Sequence, residues 1–285
     1  MAAQQPIKKY RVNCHCAAYI CEISLPEIRT GLQFNDPYNH KRGGVFLQPR
    51  SDDDIAFVKG NQTTLSSYSL GEVKHQFCLN CGTYLLRVDS KIYVNLRAFQ
   101  NLNVWDLDIQ TVDSASQSLV WSLPKFNGRE PSAKIDGAKL HTGGCHCGAI
   151  TVALKSKPLD RTYANPLIDC DCSICSRNGY IWVYPSKAQV SIVGWENMNF
   201  YIFGRGIWRK TFCKTCGVPV HNHIENYSPE QINELPEEYR EWAASHLEWS
   251  PVNVRVLDGV DIGELNIRRV NGSATAKGRP DYVNP

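Results

Sequence analysis

The sequence predicts a mainly β protein made of two tandem copies of one cysteine-rich domain, with a helical insertion in the second copy. Three observations predict it. Short runs rich in β-branched and aromatic residues, bounded by Gly, Pro and Asn, recur along the chain: AITVAL, WVYP, QVSIVG, FYIFG and VNVRVL. Three blocks occur twice in the same order. Most of the 12 cysteines fall in tight clusters whose spacing is itself repeated.

The repeat sets the architecture. NCHCAAYICEI at 13–23 answers GCHCGAITVAL at 144–154, FCLNCGTYLL at 77–86 answers FCKTCGVPVH at 212–221, and VNLRAF at 94–99 answers VNVRVL at 252–257. The offsets are 131 for Cys14 to Cys145, 135 for Cys78 to Cys213 and 158 for Val94 to Val252, which places an insertion of 23 residues after His223. Within it Ser228 is a candidate N-cap, with Pro229 at the first helical position and Gln231 closing a capping box. Pro236 starts a second helix with Tyr239, Trp242 and His246 on one face, a pattern expected for core packing. The polar stretch KFNGREPSAKIDGAK serves as a linker, so the expected domains are 1–124, a linker at 125–139, and 140–285.

Composition narrows the function. Hydrophobic residues make up 42% and charged residues 21% of the 285, enough for a packed core. A net charge of +3, with basic residues scattered, argues against a nucleic-acid partner. No apolar run reaches 18 residues, and MAAQQPIKKY lacks the apolar centre of a signal peptide. The expectation is a cytoplasmic protein with no membrane partner, whose thiols stay reduced and serve metal.

Each copy has a C-x-C and, some 60 residues on, a C-x-x-C-G, four thiolates that suit a closed tetrahedral site. Cys14, Cys16, Cys78 and Cys81 are expected to hold one structural zinc, and Cys145, Cys147, Cys213 and Cys216 another. Cys21 reads as a small core residue. The remaining three, in DCDCSIC at 169–175, occur in the second copy only. Residues this close cannot reach disulfide geometry with one another. Aligning Pro49 with Pro185 puts Phe34, Asp36 and Asn39 opposite them, so the first copy is degenerate at this place. Three thiolates leave a divalent ion one position for a ligand, or for a histidine such as His221 or His223 that would close it. The HNH letters around these histidines are weak evidence for a nuclease.

CHCG, CDCSICSRNG and FCKTCGVP, spread over most of 140–260, resemble the glutathione-dependent formaldehyde-activating enzyme family, also called the centromere protein V family. The first copy shares only its four structural cysteines. The resemblance implies a β-tent fold of antiparallel sheets, a structural zinc, and a second zinc on Cys170, Cys172 and Cys175 where a thiol substrate is handled. It implies a zinc-dependent carbon–sulfur lyase or synthase forming S-hydroxymethylglutathione from glutathione and formaldehyde, with glutathione as co-substrate. The family's basic pair after the third cysteine is Ser176-Arg177 here, and Asp171 lies between the first two.

An electron-rich three-thiolate ion suits a soft incoming sulfur better than water. Asp169 or Asp171 is a candidate general base, and Arg177 a candidate to balance the site or hold a carboxylate. Arg205 and Arg209 are candidates for substrate carboxylates, and Tyr163, Trp182 and Tyr184 for pocket walls. Two alternatives stand beside this reading: a lyase or isomerase acting on another small molecule without glutathione, and a non-catalytic zinc-stabilised binding module.

Overall fold

The computed structural model describes residues 6–114, 121–275 and 282–285; the opening MAAQQ, residues 115–120 and 276–281 lie outside them. The fold is mainly β, and the described halves repeat one topology. In the first, Lys8–Asn13, Ile20–Leu25 and Ile55–Lys59 form a three-stranded antiparallel sheet. A seven-stranded sheet runs in the order Asp108–Asp113, Thr30–Asn35, Phe46–Leu47, Ile92–Asn95, Tyr84–Val88, Val73–Phe77, Ser66–Leu70. Its first pair is parallel and the rest antiparallel.

The second half copies this arrangement. Lys139–Gly144, Thr151–Ser156 and Val190–Val193 form the small sheet. Ile267–Val270, Leu167–Cys170, Trp182–Val183, Val252–Asn253, Pro219–Ile224, Trp208–Cys213 and Met198–Ile202 form the large one, again with one parallel pair at the end. The core includes Tyr38, Phe46, Phe77 and Leu86 in one half and Ile150, Leu154, Phe212 and Val220 in the other, all buried. Each such side chain contributes about 1.5–3 kcal/mol by leaving water.

One sequence expectation is corrected. VNVRVL is a strand only over Val252–Asn253 and then turns into a 3-10 helix, Val254–Val256, as VNLRAF does over Leu96–Ala98. Asn253 is the cause: its side-chain oxygen accepts from Ile181 N at 3.2 Å and Arg255 N at 3.4 Å, while its amide donates to Pro219 O at 3.0 Å. A buried asparagine that ties three segments together outweighs the β propensity of the valines.

The insertion folds as its caps foretell. Ser228 caps helix Pro229–Glu234 in a capping box with Gln231, and Glu237–His246 follows Pro236. Tyr239 and Trp242 pack with Trp208 onto Ile207, Ile224 and Ala243.

The contacts define two units. One comprises the described parts of Met1–Trp121 together with Ser173–Gly179 and Val283–Pro285; the other comprises Ser122–Cys172 and Tyr180–Tyr282. The stretch 125–139 has no strand before Lys139 and lies in the second unit, where Ala133 N donates to Ala188 O at 2.9 Å. No helix among the described residues is long and apolar enough to cross a membrane.

Candidate metal centres

Two tight turns build each four-cysteine cluster. In the C-x-x-C turns Gly82 and Gly217 adopt φ of 75° and 69°, the left-handed region, and return their N–H groups to Cys78 O and Cys213 O. In the C-x-C turns a backbone N–H also reaches sulfur: Tyr19 N to Cys14 and Ile150 N to Cys145, both 3.3 Å. The sulfurs of Cys14 and Cys16, and of Cys16 and Cys78, lie 3.6 Å apart; Cys145–Cys147 and Cys147–Cys213 match at 3.6 Å. A tetrahedral ion with sulfur bonds of about 2.3 Å needs sulfurs about 3.8 Å apart. Both clusters therefore fit a metal ion.

Crowding four thiols splits their acidities. Hydrogen bonds from Cys14 and Cys78 hold the Cys16 thiol below its ordinary value, and those from Cys145, Cys147 and Cys216 do so for Cys213. Cys14 is raised in turn, chiefly by its contact with Cys16, and Cys145 by Cys147. The thiols are thus competing for a shared charge, which a divalent ion would relieve.

Cys170, Cys172 and Cys175 form the third cluster, with their sulfurs within 4.8 Å of one another. Cys170 ends strand Leu167–Cys170, and Cys175 sits in helix Ser173–Asn178, which closes where Gly179 at φ 61° donates to Cys175 O. Cys172 N lies 3.4 Å from Cys170 sulfur. Gly272, buried on the other side, completes the cradle: a Cβ there would collide with Cys170 sulfur and reach Cys172 Cβ at 3.3 Å. The trio fits an ion with a further position. Among the described residues no histidine belongs to any cluster. His221 instead bonds Ser250 at 2.8 Å, and burial depresses it to about 3; His223 faces Glu225. Cys21 is buried with its thiol pushed up to about 12, as suits a core residue.

The structure brings some predicted residues to this place and holds others elsewhere. Asp171 is half-buried between Cys170 and Cys172, its N–H donating to Val270 O at 3.1 Å. Arg177, 5% exposed, donates to Asn13 O, Asn13 Oδ1, Ser173 O and Asn284 Oδ1, at 2.8–3.3 Å. Arg205 stacks on Tyr239 and Trp242 of the insertion, and Arg209 pairs with Glu225 at 2.6 Å. Of the three aromatics, Tyr163 and Trp182 are buried and Tyr184 is exposed against Trp249.

Sequence reasoning missed two residues. Gly272 gave no signal, since nothing links it in sequence to Cys170. Lys210 directly follows the candidate Arg209 in the sequence. The structure buries it over Trp182 and Tyr180, with its Nζ 4.6 and 5.6 Å from their ring centroids. A register shift between Lys210 and Phe212 spoils the alternation that would have exposed a cation on an apolar face.

Fold and clusters together define a duplicated, thiolate-lined β protein in which one half carries three extra metal-capable sulfurs. Residues 140–234 match the model of the glutathione-dependent formaldehyde-activating enzyme family; the match does not extend to the first half. A crystal structure of a Rhodobacter sphaeroides protein is similar at 29% identity over 45% of this chain and 97% of that one, with a TM-score of 0.33.

Proposed function

We propose that this protein is a zinc-dependent carbon–sulfur lyase or synthase, joining a thiol to a carbonyl-derived carbon at Cys170, Cys172 and Cys175, with glutathione and formaldehyde as the leading substrates. The observation that carries the reading is the third sulfur trio, found in the half that matches the family and replaced by Phe34, Asp36 and Asn39 in the other. A scaffold needs only the four-cysteine clusters. Zinc on these sulfurs would supply a soft, open position at which an incoming thiol ionises.

The protein's own residues do the rest. Three thiolates fix the ion and make it a poor activator of water. Asp171, placed between two of them, takes the proton the thiol gives up and returns it to the carbonyl oxygen as the new carbon–sulfur bond forms and the carbonyl π bond opens. Run backwards, the same transfers release thiol and aldehyde. Arg177 holds helix Ser173–Asn178, and with it Cys175, in position. A reducing cytoplasm is the compartment in which such thiols persist.

The test is metal content and turnover together. The purified protein should bind three zinc ions per chain, one removable by mild chelation, and should convert glutathione and formaldehyde to S-hydroxymethylglutathione, followed by NMR. Cys172→Ala should lose the removable ion and the turnover. Turnover that survives in Cys172→Ala, or two inert zincs with no reaction, would overturn the proposal.

A further inference from the structure

Arg177, Arg205 and Arg209 are all engaged, so a substrate carboxylate needs another partner. One cation stands apart from them. Lys210 is 8% exposed, and among the described residues no carboxylate lies within ion-pair distance of it. Burying a cation away from any carboxylate is costly, and the faces of the Trp182 and Tyr180 rings offset that cost only in part.

Its surroundings are polar and unsatisfied. The Trp182 indole N–H and the Asn222 side-chain oxygen are both buried without a hydrogen-bond partner. Lys210 and Asn222 face each other across neighbouring strands, and Lys210 Nζ lies over the Trp182 ring. Trp182 is the register partner of Ile168, and Cys170, two residues on, shares the face of Ile168. Two donors and an acceptor therefore lie on the sheet face that carries the first sulfur of the trio.

The first half shows how close these positions are. Its counterparts of Lys210, Asn222, Trp182 and Cys170 are His75, Arg87, Phe46 and Phe34. There the Arg87 guanidinium carbon lies 3.8 Å from the Phe34 ring centroid, so the Asn222 position is within reach of the Cys170 position. His75 lies against Tyr38, tilted, with ring centroids 3.9 Å apart, and is bonded to Tyr84 at 2.5 Å, which fills the space with rings. The second half has Asn222 for the arginine, Cys170 for the phenylalanine and Pro219 for Tyr84.

We infer that Lys210, Trp182 and Asn222 form a carboxylate-recognition subsite: the lysine Nζ and the indole N–H hold the carboxylate of a thiol substrate, and Asn222 accepts from its neighbouring amide or ammonium group. The inference rests on the function proposed above and names the residues that would hold the carboxylate of its thiol substrate.

S-methylglutathione tests the subsite without the reaction, because its sulfur is blocked. Titrated calorimetrically into the zinc-loaded full chain, it should bind wild type. Lys210→Met should weaken binding about 10- to 100-fold, the range for losing a hydrogen bond to a charged group. Trp182→Phe should weaken it less, and Lys210→Arg should keep most of it, with far-UV circular dichroism showing each variant folded. The diethyl ester should bind wild type as weakly as the acid binds Lys210→Met. Equal binding by Lys210→Met and wild type, equal binding of ester and acid, or no binding by wild type would each overturn the subsite. Lys210-dependent binding without turnover of glutathione and formaldehyde would remove the reaction and keep the subsite. Turnover with binding indifferent to Lys210 would do the reverse.

Discussion

Residues 34–43 and 170–179 share a backbone and differ in what holds it. At a constant offset of 136, helix Pro37–Arg42 matches helix Ser173–Asn178, and each ends in a left-handed glycine, Gly43 at φ 60° and Gly179 at φ 61°. In the first stretch Asp36 caps the helix through Asn39 N at 2.7 Å, and Asn39 donates to Phe34 O and Gly44 O. In the second, the three corresponding positions are sulfurs. Ser114 bonds Arg87 at 3.2 Å where the second half has Gly272 against Cys170. A turn that carries three metal-capable sulfurs in one half is thus kept by a carboxylate and an amide in the other.

The largest expected effect tests what the halves share. Cys78→Ala or Cys213→Ala removes one corner of a four-sulfur cluster. Structural zinc sites carry about 10 kcal/mol or more, comparable with the whole stability of a domain. Each variant should lose its ion and unfold its own half, read as proteolytic sites in that half by mass spectrometry. Survival of both folds would break the assignment of these clusters as structural.

Next comes the difference itself. Cys172→Ala should abolish turnover and shift the melting temperature by only a few degrees. Asp36→Ala at the same place should leave turnover intact and cost about 1–2 kcal/mol, the worth of a buried N-cap. Thermal melts and the glutathione–formaldehyde assay, run side by side, decide it; similar behaviour of the two variants would erase the distinction. Smaller again is Gly272→Ala, whose methyl collides with Cys170 sulfur. It should weaken metal at the trio about 10- to 100-fold in chelator competition, the range for groups that orient ligands, with the four-sulfur ions unmoved.

How far the sequence revealed this depends on the range of each interaction. The cysteine clusters, the capping box at Ser228 and the alignment of Asp36 with Cys172 are set within a few residues or by a repeat, so they were legible. The engagement of Arg177 by Asn13, and of Arg205 by the insertion aromatics, joins residues far apart in sequence, and no local pattern encodes it. Asn253 shows the same limit, since its partners Ile181 and Pro219 lie on other segments.

The smallest effect expected is a pH dependence at one position, ionisable in the second half and not in the first. Leu86 and His221 occupy the same position, both buried, but only the histidine titrates. Burial depresses His221 to about 3, with His223 and Lys210 adding to the shift. Because its folded value lies below its ordinary one, the unfolded chain binds the extra proton as pH falls below about 6.5. Stability is full above that pH and is lost on the way down toward 3, at up to about 1.4 kcal/mol per pH unit. His221→Leu, which installs the first half's residue, should flatten this slope between pH 6 and 5 in urea titrations. It should also lower the plateau by about 1 kcal/mol, because Ser250 loses its partner at 2.8 Å. Zinc release monitored in the same samples separates acid loss of metal from protonation of the imidazole. An unchanged slope in His221→Leu would mean that the histidine is charged in the fold, contrary to its burial.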